Sequence, residues 1–151
     1  FELVGTTARD IHVVDDYAHN GEKIRAALTT AQAGSARVVA VFQPHLYSRT
    51  RHLARGLGRA LAGADDVAVT DVYPAREEPL PGVTGKLVVD ALSDLGRLAA
   101  WTPTVEEGVA YLARHAQPGD VLMTVGAGDV DRAPALLRRR LAGRRTAARD
   151  A

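Results

Sequence analysis

A chain of 151 residues suits one domain, large enough to bury a continuous core without metal or disulfide staples. Its apolar share of 46% and charged share of 25% are those of an ordinary soluble globular protein, and with no long apolar run and no charged-then-apolar leader in the sequence, a cytoplasmic protein without a membrane partner is expected. The lack of cysteine excludes a disulfide framework or a thiolate metal site, and a formal net charge of +1 excludes a strong electrostatic case for a nucleic-acid partner.

In chain order, short β-branched apolar runs alternate with helical patterns, the spacing of repeated βαβ units. The first run, residues 11–14, empties into Asp15, Asp16, Tyr17, Ala18 and His19. Ile24, Ala27, Leu28 and Ala31 then repeat at i, i+3, i+4, i+7, and Gly34 stands where a left-handed residue would close that helix. The second run, residues 38–42, leads into Gln43, Pro44, His45, Leu46, Tyr47, Ser48, Arg49 and Thr50. A helical stripe of Leu53, Leu57, Ala60 and Leu61 follows, with Ser48 or Thr50 as its candidate cap. The third run, residues 67–70, opens into Asp71, Val72, Tyr73, Pro74, Ala75, Arg76, Glu77 and Glu78. Pro74, Pro79, Pro81, Gly82 and Gly85 forbid a helix or a central strand over 73–85, so this is a long ordered loop, with Arg76, Glu77 and Glu78 read as its solvated charged rim. Val88, Ala91, Leu92 and Leu95 make a third stripe. The faintest strand lies near residues 98–101. Thr104 and Glu107 form a capping box before Val105, Val109, Leu112 and Ala116. The last run, residues 121–125, meets the turn Gly126, Ala127, Gly128, Asp129, and a final helix carries Leu137 and Leu141, with Pro134 tolerated only in its first turn. Arg138 to Arg140, with Arg144, Arg145 and Arg149, read as a solvated helix end and tail, because no aromatic residues interleave to stack on bases.

The pattern predicts an α/β sandwich in which a mostly parallel sheet of five or six strands is flanked by helices, and the C-terminal ends of its strands share one edge, where ligands bind. The polar clusters after the strands would therefore meet in one crevice. Adjacent Asp15 and Asp16 point to opposite sides of an extended backbone and should have different jobs. Either carboxylate can accept the hydroxyls of a ribose or hold magnesium through water, or can simply cap a turn. His19, just before a helix, can bind a carboxylate or shuttle a proton, and His45 occupies the equivalent place after the second strand. Arg49 in the first turn of the second helix suits a carboxylate or phosphate, although Arg49 and Arg51 read equally well as surface charges. The Gly126 to Gly128 turn permits close backbone approach but lacks the remaining spacing of a dinucleotide fingerprint.

These four clusters, in this order and at these separations, resemble the C-terminal domain of the Mur ligase family, in its UDP-N-acetylmuramate–L-alanine ligase branch, over residues 1 to about 141. The resemblance implies a Rossmann-like three-layer domain spanning 1–142, with 143–151 as a basic, disordered tail. It implies a mobile third domain of an ATP-dependent ligase that joins L-alanine to UDP-N-acetylmuramate in peptidoglycan precursor synthesis, closing over ATP held by a central domain. Asp16 and Tyr17 would bind the ATP ribose and adenine. His19, His45, Arg49, Gly126 and Asp129 would hold the amino acid. The Mg2+ that accompanies ATP would be held mainly by the central domain, with no metal ligands and no side-chain nucleophile in this chain.

Departures from the family pattern are the stretch Asn20, Gly21, Glu22, Lys23, where relatives continue His-Pro-Thr-Glu, and Leu46 where many carry arginine. No GxxxxGK[ST] phosphate loop occurs, so the N-terminal and central domains are expected as partners and the isolated domain is expected to be inactive. The same residues admit three alternatives: a sister ligase that recycles whole peptides, a stand-alone nucleotide- or peptide-binding module, and a receiver-type domain phosphorylated on Asp71. The last lacks its lysine after the final strand, where Gly126 stands.

Overall fold

The computed structural model describes residues 1–34 and 36–149, with side chains up to residue 143. Six strands form one sheet in the order β1-β2-β6-β3-β4-β5. The strands are β1 (Glu2–Thr6), β2 (His12–Asp16), β3 (Val38–Phe42), β4 (Asp66–Val69), β5 (Ala99–Trp101) and β6 (Val121–Val125). All pairings are parallel except that of β1 with β2. The helices are α1 (Gly21–Gln32), α2 (Tyr47–Leu61), α3 (Lys86–Asp94), α4 (Val105–His115) and α5 (Ala133–Arg149), and a 3-10 turn over Asp129–Arg132 leads into α5.

The faces follow from connection handedness. From β2 through β3 and β4 to β5 the chain moves one way across the sheet, and right-handed crossovers place α1, α2 and α3 on one face. The return from β5 to β6 reverses direction and places α4 on the other face, joined there by α5. Side-chain alternation matches. Val38, Ala40 and Phe42 pack with α1, α2 and α3, whereas Val39 and Val41 pack with α4 and α5. Both faces of β3 and β6 are covered, and all ten residues of these strands are buried.

The helical patterns are reproduced with local corrections. In α1 the buried residues are the expected Ile24, Ala27, Leu28 and Ala31, but Gly34 is not left-handed, since the helix closes on Ala33 in an ordinary helical conformation. In α2 Leu53 is exposed, and Thr50, Ala54, Leu57 and Leu61 carry the buried stripe, because Thr50 folds its hydroxyl back onto the Leu46 carbonyl and can enter the interface. Leu95 is likewise exposed, lying one residue past the last turn of α3. The Thr104 hydroxyl accepts from the Glu107 amide as a capping box requires. Strand β1 has no counterpart in the expected βαβ repeats: it returns as an antiparallel edge strand, exposed or half-buried along its length. Helix α5 runs on through 143–149, which the sequence reading set apart as a disordered tail. Those residues are alanine, arginine, threonine and glycine with no proline, so nothing local stops a helix already started. Residues 150 and 151 of that tail lie outside the described residues.

Candidate functional site

The strand ends are level. Asp16 and Phe42 both pair with Val125, so the segments leaving β2, β3 and β6 emerge side by side. The chain leaves β6 toward α5 on one face, while its neighbours β2 and β3 lead to α1 and α2 on the other. This divergence opens a crevice at the switch point of the sheet. Backbone bonds lace its floor: the Gly126 amide donates to the Asp16 carbonyl and the Gln43 amide to the Val125 carbonyl.

The two aspartates do separate, as their alternation requires. Asp15 takes the Thr124 hydroxyl, and its carboxyl is held above the usual range by burial first and by the charges of Glu2, Asp131 and Asp16 after it. Asp16 closes a turn by accepting from the Ala18 amide at 2.8 Å. Tyr17 is 69% exposed, an open aromatic surface beside that carboxylate, and its ring meets His19 edge-on at 5.9 Å. Asn20, the first of the residues that depart from the family pattern, is the N-cap of α1 and accepts from the Lys23 amide at 3.0 Å.

His45 stacks on Tyr73, with ring centroids 5.7 Å apart. Its Nδ1 is buried without a hydrogen-bond partner among the described residues. Burial, then the nearby positive charge of Arg49 and of His19, lowers its pKa, so the ring is neutral at pH 7. With no acceptor for an Nδ1 proton, the neutral ring carries its hydrogen on Nε2. Two of the predicted residues, His19 and Arg49, therefore each lie within electrostatic reach of a third, His45. Arg49, in the first turn of α2, makes no salt bridge or side-chain hydrogen bond among the described residues.

The expected cap of α2 is absent. Neither Ser48 nor Thr50 caps it, and the N-cap position is Leu46, at a left-handed φ of 68° with no side-chain bond. Glu77 does this work from the loop after β4. Its carboxylate accepts from the Ser48 amide at 3.1 Å and from the Ser48 hydroxyl at 2.8 Å. Glu77 is thus half-buried and engaged, not a solvated rim residue.

The turn after β6 joins this site through Gln43 and Tyr73. Gln43, 5% exposed, donates to Asp129 and accepts from the Val130 amide. Gly126 has φ of 142°, and a Cβ on Gly128 would lie 2.4 Å from the Gln43 side-chain oxygen and 2.6 Å from the Tyr73 ring, so only glycine lets the turn come this close. The Asp129 carboxylate is shared by Gln43 and, at 3.6 Å, Arg132. It faces a cleft of about 340 Å3 lined by Gln43, Tyr73, Glu106, Asp129 and Arg132 on the α4 side of the turn. A larger depression of about 460 Å3 lies away from this edge, between the β1–β2 turn and α5. Sequence reasoning missed Gln43 and Glu77 as working parts. The available signals were a polar residue ending a fully apolar strand and a helix start without its own cap.

Comparison with known proteins bears on this arrangement. Residues 1–128 match the family model described as Mur ligase, glutamate ligase domain. The chain belongs to the Mur ligase family. It is 50% identical over 133 residues to a UDP-N-acetylmuramate–L-alanine ligase of Cutibacterium acnes, covering 86% of this chain and 28% of the relative. A ligase of the same name from Kineococcus radiotolerans is 52% identical over 132 residues, again 86% of this chain and 28% of the relative. The chain thus spans under a third of the length of the curated relatives it matches. Among solved structures, UDP-N-acetylmuramate–alanine ligase from Thermotoga maritima superposes with a TM-score of 0.75 at 29% identity, covering 95% of this chain and 30% of that one. A domain from a putative UDP-N-acetylmuramate:L-alanyl-γ-D-glutamyl-diaminopimelate ligase of Haemophilus ducreyi gives 0.69 at 25% identity, covering 93% of this chain and 98% of that one.

The receiver alternative fails on topology. A receiver of the flavodoxin-like order keeps its first strand between its second and third, whereas the first parallel strand here, β2, lies beside the last, β6. Asp71 is also occupied, accepting from the Trp101 indole at 3.0 Å and the Gly85 amide at 3.3 Å.

Proposed function

We propose that this Mur ligase domain is the C-terminal part of an ATP-dependent ligase that adds L-alanine to UDP-N-acetylmuramate in peptidoglycan precursor synthesis. The observation that carries the reading is the meeting of Arg49, His45 and His19 at one sheet edge, and the names of relatives about half identical to this chain favour L-alanine over a peptide. An unpaired guanidinium fixes a carboxylate through a charge-assisted fork. Neutral His45 donates from Nε2 to an amino-acid oxygen without repelling the amine, and His19 completes the pocket beside Tyr17. Gly126 and Asp129 serve it through the turn that seats Tyr73 against His45.

ATP, when bound, supplies the phosphoryl group that activates the muramyl carboxylate. The residues present fit its nucleoside end: Asp16, fixed by its turn, accepts ribose hydroxyls, and the exposed Tyr17 ring lies beside adenine. The reading leaves the Mg2+ that accompanies ATP to the rest of the ligase. An attacking amine requires an oriented site that excludes water, and this domain contributes both by closing on the rest of the enzyme. The N-terminal and central domains are thus its partners, and the domain by itself should not ligate. No helix among the described residues is long and apolar enough to cross a membrane, which suits a cytoplasmic ligase acting on a soluble nucleotide sugar.

Full-length ligase carrying this chain, given UDP-N-acetylmuramate and ATP, tests the reading by phosphate release. Release that depends on L-alanine is expected; release with a tripeptide but not L-alanine makes it a recycling ligase, and release with neither removes the ligase reading.

A further inference from the structure

Glu77 stands 28 residues from Arg49 in sequence, yet the segment that bears it is tied to the segment that bears Arg49 at four points. The Leu46 amide donates to the Tyr73 carbonyl at 2.9 Å and the Tyr73 amide to the Pro44 carbonyl at 2.8 Å. The Ser48 amide and hydroxyl both donate to the Glu77 carboxylate. Between these bonds lies Leu46 at φ 68°, a conformation that costs a non-glycine residue about 1–2 kcal/mol and is kept only where surroundings enforce it. Helix α2 has no acidic residue in its first turn and no cap of its own, so Glu77 alone meets its N-terminal amides among the described side chains.

We propose that Glu77 is a positioning residue for the amino-acid site. Its carboxylate clamps the first turn of α2 through Ser48 and thereby fixes Arg49 and the strained His45–Leu46 entry to the helix in the orientation that receives the amino acid. A second consequence concerns selectivity. With the helix terminus already occupied, Arg49 is the group left to hold the substrate carboxylate, so the amino acid has one binding orientation instead of two. The inference rests on the ligase reading above, and its mechanical half concerns this chain alone.

The variants Glu77→Ala, Glu77→Gln and Arg49→Ala in the full-length ligase test it. Glutamine keeps an acceptor for the Ser48 amide and a partner for its hydroxyl while removing the charge. Glu77→Ala should raise KM for L-alanine about tenfold with KM for ATP unchanged, and Glu77→Gln should restore most of it, the scale of one or two lost hydrogen bonds. The proposal is overturned if Glu77→Ala leaves KM for L-alanine unchanged, if it raises all KM values alike, or if glutamine fails as alanine does, which would make the effect one of charge. A lower KM in Glu77→Ala also overturns it, because Glu77 would then compete with the substrate carboxylate. Should Arg49→Ala leave L-alanine use untouched, the ligase reading of Arg49 fails separately. The clamp is then decided by NMR on the 151-residue chain, where the Ser48 amide and Arg49 Nε–H resonances move in Glu77→Ala but not in Glu77→Gln if the clamp exists, and stay in place in both if it does not.

Discussion

The two edges of the sheet are built from similar side chains put to opposite use. At the lower edge, where the strands begin, no buried side-chain polar atom among the described residues lacks a hydrogen-bond partner. Arg37 pairs with the buried Asp120 at 2.6 Å and also donates to the His115 carbonyl, while Asp120 accepts from the Gln117 amide as well. Asp65 takes the Val38 amide, and Tyr111 donates to Asp66 at 2.7 Å, its phenol pushed up to about 12 by burial and then by that bond. The His115 ring packs against that of Tyr111 at a tilt of 44° and donates to the Tyr111 carbonyl. At the upper edge, among the described residues, His45 Nδ1 is buried without a partner and Arg49 has no ion pair, while Tyr17 lies open and Leu46 is strained. A closed network lowers energy where it stands. An unmated set stores binding capacity, which a ligand completes.

That contrast breaks first at the lower edge. Asp120→Ala leaves Arg37 without its buried counter-charge and the Gln117 amide without an acceptor, so a loss of about 3 kcal/mol is expected, a fall in Tm of about 6–12 °C for a domain of this size. Thermal unfolding of the isolated chain measures it, and the assembled ligase assayed below the new Tm should keep its KM for L-alanine. Gly128→Ala should come next. Its Cβ would press on Gln43 and Tyr73, so about 1–3 kcal/mol of overpacking is expected together with weaker L-alanine use, because Tyr73 is the surface on which His45 rests. A variant that loses stability and keeps its KM would separate the turn from the site.

How much of this could be read from sequence divides along the same line. The strands from residue 38 to 42 and from 121 to 125 are apolar on both faces, and such runs admit few alternatives, so their limits were legible to the residue. Strand β1 was not, because an exposed antiparallel edge strand carries neither a full apolar run nor a helix after it. At the site, the alternation of Asp15 and Asp16 and the convergence of His19, His45 and Arg49 follow from strand polarity alone. The roles of Gln43 and Glu77 depend on side chains reaching across 86 and 29 residues, to Asp129 and to Ser48, and no local spacing encodes such a reach. Asn20 is the opposite case, a cap that reaches only to the Lys23 amide three residues on.

Upper-edge substitutions should show the inverse of Asp120→Ala. Arg49→Ala removes a half-buried cation that has no hydrogen-bond or ion-pair partner to orphan among the described residues, so Tm should change by no more than the equivalent of about 0.5 kcal/mol. KM for L-alanine should rise about 10–100-fold in the full-length ligase, the range of charge-assisted bonds to a carboxylate. A stability loss comparable to that of Asp120→Ala would mean that Arg49 is part of the scaffold.

The smallest effect sharpens the contrast most. His45 has its folded pKa below the unfolded value of about 6.5, so protons bind the unfolded chain more readily than the folded one. The stability that neutral His45 contributes is therefore fully present above about pH 6.5 and is lost as pH falls through its folded pKa. In His45→Asn this dependence disappears, and the variant should lose less stability than the parent between pH 7 and pH 5. Imidazole 15N shifts of the parent should at the same time report the Nε2–H tautomer and an apparent pKa below the ordinary histidine value. A normal titration would mean that Nδ1 finds a partner in solution, and the upper edge would then be closed in the same manner as the lower one, with no unmated ring waiting for the amino acid.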